Sequence, residues 1–155
     1  MTNGVHMLDR IGWVCGQQVR FHGGVARFEG RLGDVEDTAS MQLSLADGTP
    51  VLLLASWFRG AGATDDELTV YGTAGTLRVW AWRGWAFDPA DGVRQEHVCY
   101  PAGADHFARA RVGMAGALSE FAAAIAAGRP ASPGFAEIVA VQRLIDAFYR
   151  EAGVA

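Results

Sequence analysis

The hydrophobic and polar positions of this chain divide it into a short helix, a long middle region of strands and two closing helices. In residues 4–15 the apolar side chains recur at helical spacing, with Asn3 placed to cap the helix and Gly16 placed to end it. Between residues 17 and 100, β-branched and aromatic runs are broken by glycine-containing turns, a pattern typical of antiparallel strands. The sequence therefore predicts an α+β fold in one domain, residues 1–155, built on an open, mostly antiparallel β-sheet.

The middle region contains five segments that we predict to be strands: residues 38–46, 51–58, 67–71, 76–82 and 93–100. Asp47-Gly48 predicts a hairpin between the first two segments, and Thr73-Ala74-Gly75 predicts a turn between the next two. Residues 51–58 carry apolar side chains on both faces, so neither face is suited to water. In residues 76–82 one face carries Leu77, Val79 and Ala81, and the other carries Arg78, Trp80 and Trp82.

The closing region predicts two amphipathic helices. Asp105 can cap the first, Gly128-Arg129-Pro130 can end it, and Ser132-Pro133 can start the second. Their apolar stripes are Phe107, Met114, Leu118, Phe121 and Ile125 in the first helix, and Ile138, Val141, Leu144, Ile145 and Phe148 in the second. We expect both helices to pack on one face of the sheet. The other face, with its tryptophans, is then available for contact between copies of the chain, unless long loops fold over it.

Charge and composition exclude several classes of function. With 13 basic and 17 acidic residues the formal net charge is −4, which argues against a nucleic-acid partner. Every basic residue is arginine, so the chain supplies neither a Schiff-base lysine nor a Walker lysine. The apolar runs are too short to span a membrane, and the amino terminus lacks the pattern of a secretory signal, so we expect a cytoplasmic protein without a membrane partner. Cys15 and Cys99 are expected to be free core thiols.

The familiar catalytic and ligand-binding motifs are absent. The glycine-rich loop at residues 60–64 lacks the third glycine of a dinucleotide fingerprint, and Asp65-Asp66-Glu67 follows it. Neither the histidines nor the cysteines have the spacing of a metal site, and no nucleophile motif occurs. We therefore predict no metal site and no cofactor site in this chain.

One polar cluster remains, on the first predicted helix. His6 and Asp9 are three residues apart and so share a helix face, with Arg10 beside them. A histidine with a nearby carboxylate can transfer a proton or hold a hydroxylated ligand. Alternatively, His6 is a structural or surface group at the start of the helix.

The chain resembles the C-terminal domain of the Gfo/Idh/MocA oxidoreductases. The resemblance covers residues 4–153 and starts at GVHMLD (4–9) with Trp13 and Gly16. It continues, in order, through VEDTA (35–39), LADGT (45–49), ASW (55–57), LTVYGTAGTL (68–77), FAAAIAAGRP (121–130) and AFYR (147–150).

The resemblance implies a two-domain enzyme whose N-terminal Rossmann domain binds NAD or NADP. The C-terminal domain, an open sheet backed by helices, would shape the pocket for a sugar or polyol and make subunit contacts through its free sheet face. The histidine of the family's D-x-x-x-H motif falls on His6, which would contact the substrate hydroxyl or exchange a proton with it. The motif's aspartate is replaced by Thr2, and the family's catalytic lysine belongs to the Rossmann half.

Two interpretations follow from the sequence. In the first, the chain is the substrate-binding and oligomerisation domain of such an oxidoreductase, with His6 as the catalytic residue and His6 and Asp9 as substrate-binding residues. It would be active only with a Rossmann domain, which a separate chain could supply. In the second, it is a non-catalytic scaffold that associates with itself through the sheet and retains, at most, carbohydrate binding.

Overall fold

A computed structural model describes residues 4–27, 36–56, 66–81, 83–100 and 103–153. Three helices and seven strands occur in this part of the chain. In chain order they are α1 (Gly4–Cys15), β1 (Val19–Arg27), β2 (Thr38–Leu45), β3 (Pro50–Ser56), β4 (Glu67–Gly72), β5 (Gly75–Trp80), β6 (Gly84–Pro89), β7 (Gln95–Val98), α2 (His106–Ala126) and α3 (Phe135–Glu151). The predicted α+β class is confirmed, and every described strand pair is antiparallel.

The described strands form two sheets where the sequence predicted one. A three-stranded sheet has the order β1-β2-β3, and a four-stranded sheet has the order β4-β5-β6-β7. Contacts likewise group the chain into two compact units, residues 1–63 with 133–155 and residues 64–132. The assignment of residues 1–155 to one domain stays a prediction.

The first unit has its core between the three-stranded sheet and the helices α1 and α3. The inner face of β2 is fully buried, as are Leu8 of α1 and Phe148 of α3. The Phe148 ring packs edge-on against Phe21 of β1, with 6.3 Å between the ring centroids. Gly24 of β1 lies directly beneath this ring, where a Cβ atom would come within 2.8 Å of it. Glycine is therefore needed at position 24 for α3 to reach the sheet.

A bulge in β1 changes the register of the first sheet. Phe21 pairs with Leu43, but the next pair joins Gly23 to Gln42, so His22 is the extra residue. The sequence analysis did not identify β1 as a strand because Gly23-Gly24 interrupts its pattern. The strand β6 was missed as well.

On the outer face of the first sheet, three apolar side chains are exposed. They are Val25, Leu52 and Leu54, at 67%, 84% and 69%.

Both predicted turns are confirmed. In the hairpin between β2 and β3, Gly48 has a φ of 91°, which a side-chain-bearing residue rarely adopts. The Leu45 backbone N–H donates to the Thr49 carbonyl at 2.9 Å and closes this turn. In the second unit, Gly72 and Gly75 form the last pair of β4 and β5 around Thr73-Ala74.

The tryptophan face of the four-stranded sheet is more polar than expected. The Trp80 indole donates to Glu67 at 2.6 Å, and Arg78 forms an ion pair with Asp88 at 2.7 Å on the same face. The Arg83 guanidinium lies 4.9 Å from the centroid of the half-buried Trp80 ring. Trp80 therefore contributes to a mixed polar and apolar surface, because its polar edge and its ring both have partners. Whether this face contacts a second copy stays a prediction. Trp82, which was assigned to the same face, lies outside the described residues.

The closing helices follow the predicted boundaries closely. The Asp105 side chain accepts from the Ala108 N–H at 2.7 Å, which confirms the predicted cap of α2, and Gly128 follows the helix with a φ of 61°. Helix α3 starts at Phe135, two residues after Pro133, because Gly134 is its N-cap and donates to the Glu137 carboxylate at 3.0 Å.

The prediction that two helices cover a sheet holds for α3 and fails for α2. Helix α3 buries Val141, Ile145 and Phe148. The predicted stripe of α2 is instead exposed, with side-chain exposures of 76%, 64%, 64%, 56% and 65% for Phe107, Met114, Leu118, Phe121 and Ile125. Amphipathic spacing predicts that one face of a helix will be buried, but it does not show which surface buries that face.

Both cysteines are free, as predicted, but only one has a partly buried environment. Cys15 is half-buried at the end of α1, where burial and then the charge of Asp47 raise the pKa of its thiol. Cys99 is exposed, so the prediction of a core thiol is wrong there. Among the described residues, no helix has the length and apolar character to cross a membrane.

Candidate functional site

Helix α1 has one buried face and one exposed polar face. Its buried residues are Gly4, Leu8 and Ile11, which recur at helical spacing and pack toward α3 and β1. The residues on the opposite side include His6 and Trp13, both exposed, seven positions and about two turns apart. Asp9 and Arg10 lie between them and are half-buried. The cluster predicted from the sequence is therefore on the surface of the first unit.

His6 and Asp9 share this face without forming a pair. Within the described part of the chain, neither side chain has a hydrogen bond or ion pair to another residue, and the two do not bond each other. The His6 imidazole is thus available to an external hydroxyl group. Thr2 and Asn3, the sites of the missing motif aspartate and of the predicted cap, lie outside the described residues.

The carboxyl end of α1 is fixed to the first sheet by its own backbone and by Gln17. Gly16 has a φ of 62°, and the N–H groups of Gly16 and Gln17 donate to the carbonyls of Trp13 and Gly12 at 3.3 and 3.2 Å. The Gln17 side chain then donates to the Asp47 carboxylate at 2.9 Å and accepts from the Asp47 N–H at 3.1 Å. The Gln17 hydrogen bond is the main reason that the pKa of Asp47 is lowered. These contacts hold the His6 face in a defined orientation relative to the sheet.

A buried polar contact joins α3 to the start of β2. The Tyr149 hydroxyl lies 3.0 Å from each carboxylate oxygen of Glu36 and donates to it. Glu36 and the neighbouring Asp37 are 8% and 3% exposed. Burial, followed by the hydrogen bond to Glu36 and its charge, raises the pKa of Tyr149 to about 12. Two of the stretches that carried the family resemblance, 35–39 and 147–150, therefore meet in the folded chain.

The bulge in β1 creates a second polar feature that the sequence did not indicate. The Nε2 atom of His22 lies 2.7 Å from the Ser44 hydroxyl across the sheet. A shallow groove of about 640 Å³ runs beside this pair, and its lining includes Val25, Leu52 and Glu151. Across the residues that the structure describes, no carboxylate bonds His22, so the pair lacks the third group that orients a catalytic histidine. No sequence signal was available, because the contact depends on the bulge.

The described residues contain no Rossmann-type dinucleotide-binding unit. A dinucleotide site needs parallel strands joined through a helix whose N-terminus faces the pyrophosphate, whereas every described strand pair is antiparallel. The glycine-rich segment 60–64 falls outside the described residues. Among the described residues, no group of three or more potential metal ligands occurs.

The sequence was compared with models of known protein families. The model described as the GFO/IDH/MocA C-terminal domain matches residues 1–78, half of the chain. This chain belongs to the Gfo/Idh/MocA C-terminal domain family. The resemblance noted on the motifs is thereby confirmed. No curated protein sequence matches the chain significantly.

Solved oxidoreductase structures share the fold over nearly the whole chain. An oxidoreductase from Agrobacterium radiobacter, solved with NAD+, L-tartaric acid and magnesium, is 17% identical with a TM-score of 0.80; the match covers 97% of this chain and 45% of that one. For the aldose-aldose oxidoreductase of Caulobacter crescentus, complexed with glycerol, the identity is 20%, the TM-score 0.71 and the coverage 97% and 44%. For the UDP-N-acetylglucosamine 3-dehydrogenase of Acidithiobacillus ferrooxidans, the values are 21%, 0.62, 97% and 45%. The chain thus spans less than half the length of these relatives.

Proposed function

We propose that this chain is the substrate-binding and oligomerisation part of a Gfo/Idh/MocA-type, NAD(P)-dependent oxidoreductase that acts on a sugar or polyol. The observation that carries the proposal is the exposed His6 on α1, in a chain that belongs to this family. The names of two similar structures, an aldose-aldose oxidoreductase and a UDP-N-acetylglucosamine dehydrogenase, support a carbohydrate substrate.

In this proposal, His6 contacts the reacting hydroxyl group. Its imidazole can accept the hydroxyl proton when the alcohol is oxidised and return it in the reverse direction. Asp9, one turn further along α1, accepts a hydrogen bond from a second hydroxyl of the same ligand. Trp13 offers an apolar ring on the same face, against which the C–H groups of a sugar ring can pack.

In this proposal the nucleotide is bound by a different part of the enzyme, since the described residues contain no Rossmann-type unit. Redox chemistry therefore requires a Rossmann domain, either in a longer chain or in a separate partner chain. The contribution of this chain is limited to binding and orienting the substrate and to moving one proton. By itself it is expected to bind polyols weakly and to have no dehydrogenase activity.

Self-association is the second part of the proposal. Val25, Leu52 and Leu54 give the outer face of the first sheet an exposed apolar surface, and such surfaces usually mark contacts. The same surface favours the alternative function, a non-catalytic scaffold that associates through this sheet. The two functions differ in one respect, which is the presence of a saturable polyol site at His6.

An NMR titration tests this difference. Labelled protein is titrated with myo-inositol and with glucose to tens of millimolar, and amide shifts are mapped onto the chain. The proposal predicts saturable shifts that cluster in residues 4–10 and near Trp13. Shifts that are absent, or that scatter without saturation, would favour the scaffold.

A further inference from the structure

The exposed stripe of α2 has the spacing of a helix-pairing seam. Phe107, Met114 and Phe121 are separated by seven residues, and Arg111, Leu118 and Ile125 follow each of them by four. This is the alternating three-and-four spacing of a coiled coil. The five apolar members are between 56% and 76% exposed and, with Arg111 among them, follow one side of a helix about 31 Å long.

The positions beside the seam are all alanine, which permits close helix contact. In coiled coils these flanking positions are usually charged and set the choice of partner. Here they are Ala108, Ala110, Ala115, Ala117, Ala122 and Ala124. Ala124 is already buried, while Ala115, Ala117 and Ala122 are exposed. A second helix therefore meets no bulky or charged side chain at these flanking positions.

We propose that α2 pairs with α2 of a second copy of this chain, in antiparallel orientation. One register brings Phe107 opposite Ile125, Arg111 opposite Phe121 and Met114 opposite Leu118, and a two-fold axis at Gly116 repeats each contact. The spacing of the strip is thus complementary to itself, as an isologous contact requires.

The charges on α2 favour this orientation over the parallel one. A parallel pair would place Arg111 of one helix against Arg111 of the other, two like charges in a dry seam. In the antiparallel pair, Arg111 faces the ring of Phe121, which suits a cation–π contact, and lies beside Glu120. Glu120 is held at the surface by Arg129, whose guanidinium lies 2.7 Å from its carboxylate. This carboxylate is therefore already fixed where it can accept a second cation.

The size of the strip indicates a weak contact. A helix about 31 Å long and about 10 Å wide presents roughly 300 Å², well below the ~800 Å² per partner of a standard stable interface. The α2 contact is therefore expected to act together with the sheet contact.

Cysteine cross-linking tests this pairing directly. Both cysteine variants are made in a Cys99→Ser background. In the proposed pair, Ala117→Cys places a thiol next to the same thiol of the second copy, across the two-fold axis. Gly116→Cys places a thiol at nearly the same height but on the opposite side of the helix, away from the second copy. A Cβ at Gly116 meets nothing within 4 Å, so the control is expected to fold normally. We expect mild oxidation to give disulfide-linked dimers with Ala117→Cys and not with Gly116→Cys. Adding Leu118→Glu should lower the Ala117→Cys yield at least about tenfold, because it puts a charge in the seam.

Equal cross-linking of the two cysteine variants, or none in either, would overturn the pairing. A strip that instead binds a separate nucleotide-binding chain would also give no cross-link in the purified protein. The result is independent of the polyol site, because none of these substitutions is on α1. The sheet contact is tested separately, by substitutions in β3.

Discussion

The position of α3 on the first sheet depends on Gly24, and Gly24→Ala tests it. A Cβ at this position would lie 2.7 Å from the Ser40 carbonyl oxygen and 2.8 Å from two carbon atoms of the Phe148 ring. Favourable contacts between carbon atoms occur at about 3.5–4.0 Å, so the ring or the strand must move by roughly 1 Å. Phe148 is fully buried and Ser40 contributes a backbone atom, so neither can move freely.

The expected loss of stability is at the upper end of the range for overpacked cores. Such substitutions cost about 1–3 kcal/mol, and we expect about 3 kcal/mol for Gly24→Ala. In a domain of this size the loss corresponds to a decrease in Tm of about 6–12 °C. Urea unfolding followed by tryptophan fluorescence gives the free energy, and thermal unfolding followed by circular dichroism gives the Tm.

Gly116→Ala is the matched control. It makes the same chemical change in the middle of α2, where a Cβ meets nothing within 4 Å, and should raise stability by up to about 1 kcal/mol. If Gly24→Ala were as stable as the wild type to within about 0.5 kcal/mol, the close approach of Phe148 to β1 would be refuted.

Three further predictions concern the polar core, the outer sheet face and the nucleotide. The folded-state pKa of Tyr149 is raised from 10.0 to about 12, so its contribution to stability is complete below pH 10 and is lost as the pH rises through 12. Urea titrations at several pH values should show this dependence in the wild type and not in Tyr149→Phe. Leu54→Glu should reduce the mass of the oligomer in light scattering, while Gln18→Glu, a charge added at another exposed position of the first unit, should leave it unchanged. A wild-type chain that is monomeric at high micromolar concentration would exclude the sheet contact. Calorimetric titration with NAD(H) or NADP(H) should be flat, and micromolar binding accompanied by a higher Tm would contradict the division of roles between the two halves.

Local features of the fold were predictable because their causes are local. Asp47-Gly48 predicts its hairpin from turn chemistry alone, and Asp105 and Gly16 predict helix ends from capping chemistry. The bulge at His22 was not predictable, because an extra residue in a strand is defined only by the register of its neighbour. The contact between His22 and Ser44 was therefore missed.

Packing and the exposure of side chains depend on distant parts of the chain, and the sequence predicted them less well. Helix α2 was predicted correctly, but the sequence could not show that the members of its apolar stripe are exposed. The contacts of Trp80 were not predicted, because the sequence does not show that Glu67 lies opposite it. On α1, helical spacing was sufficient to place His6 and Asp9 on one face, whereas the exposure of Trp13 on that face became visible only in the folded chain.

The central claim, that this chain holds a polyol through His6, is tested most directly by comparing polyol affinity in two histidine variants. His6→Ala removes the proposed contact, and His22→Ala removes the other described exposed histidine of the first unit. We predict millimolar binding of myo-inositol or glucose by the wild type and by His22→Ala, measured from saturating NMR shifts. His6→Ala should bind about 5- to 30-fold more weakly, which corresponds to the loss of one or two hydrogen bonds of about 1 kcal/mol each. Equal affinity in all three proteins, or no saturable binding by the wild type at tens of millimolar, would contradict the claim.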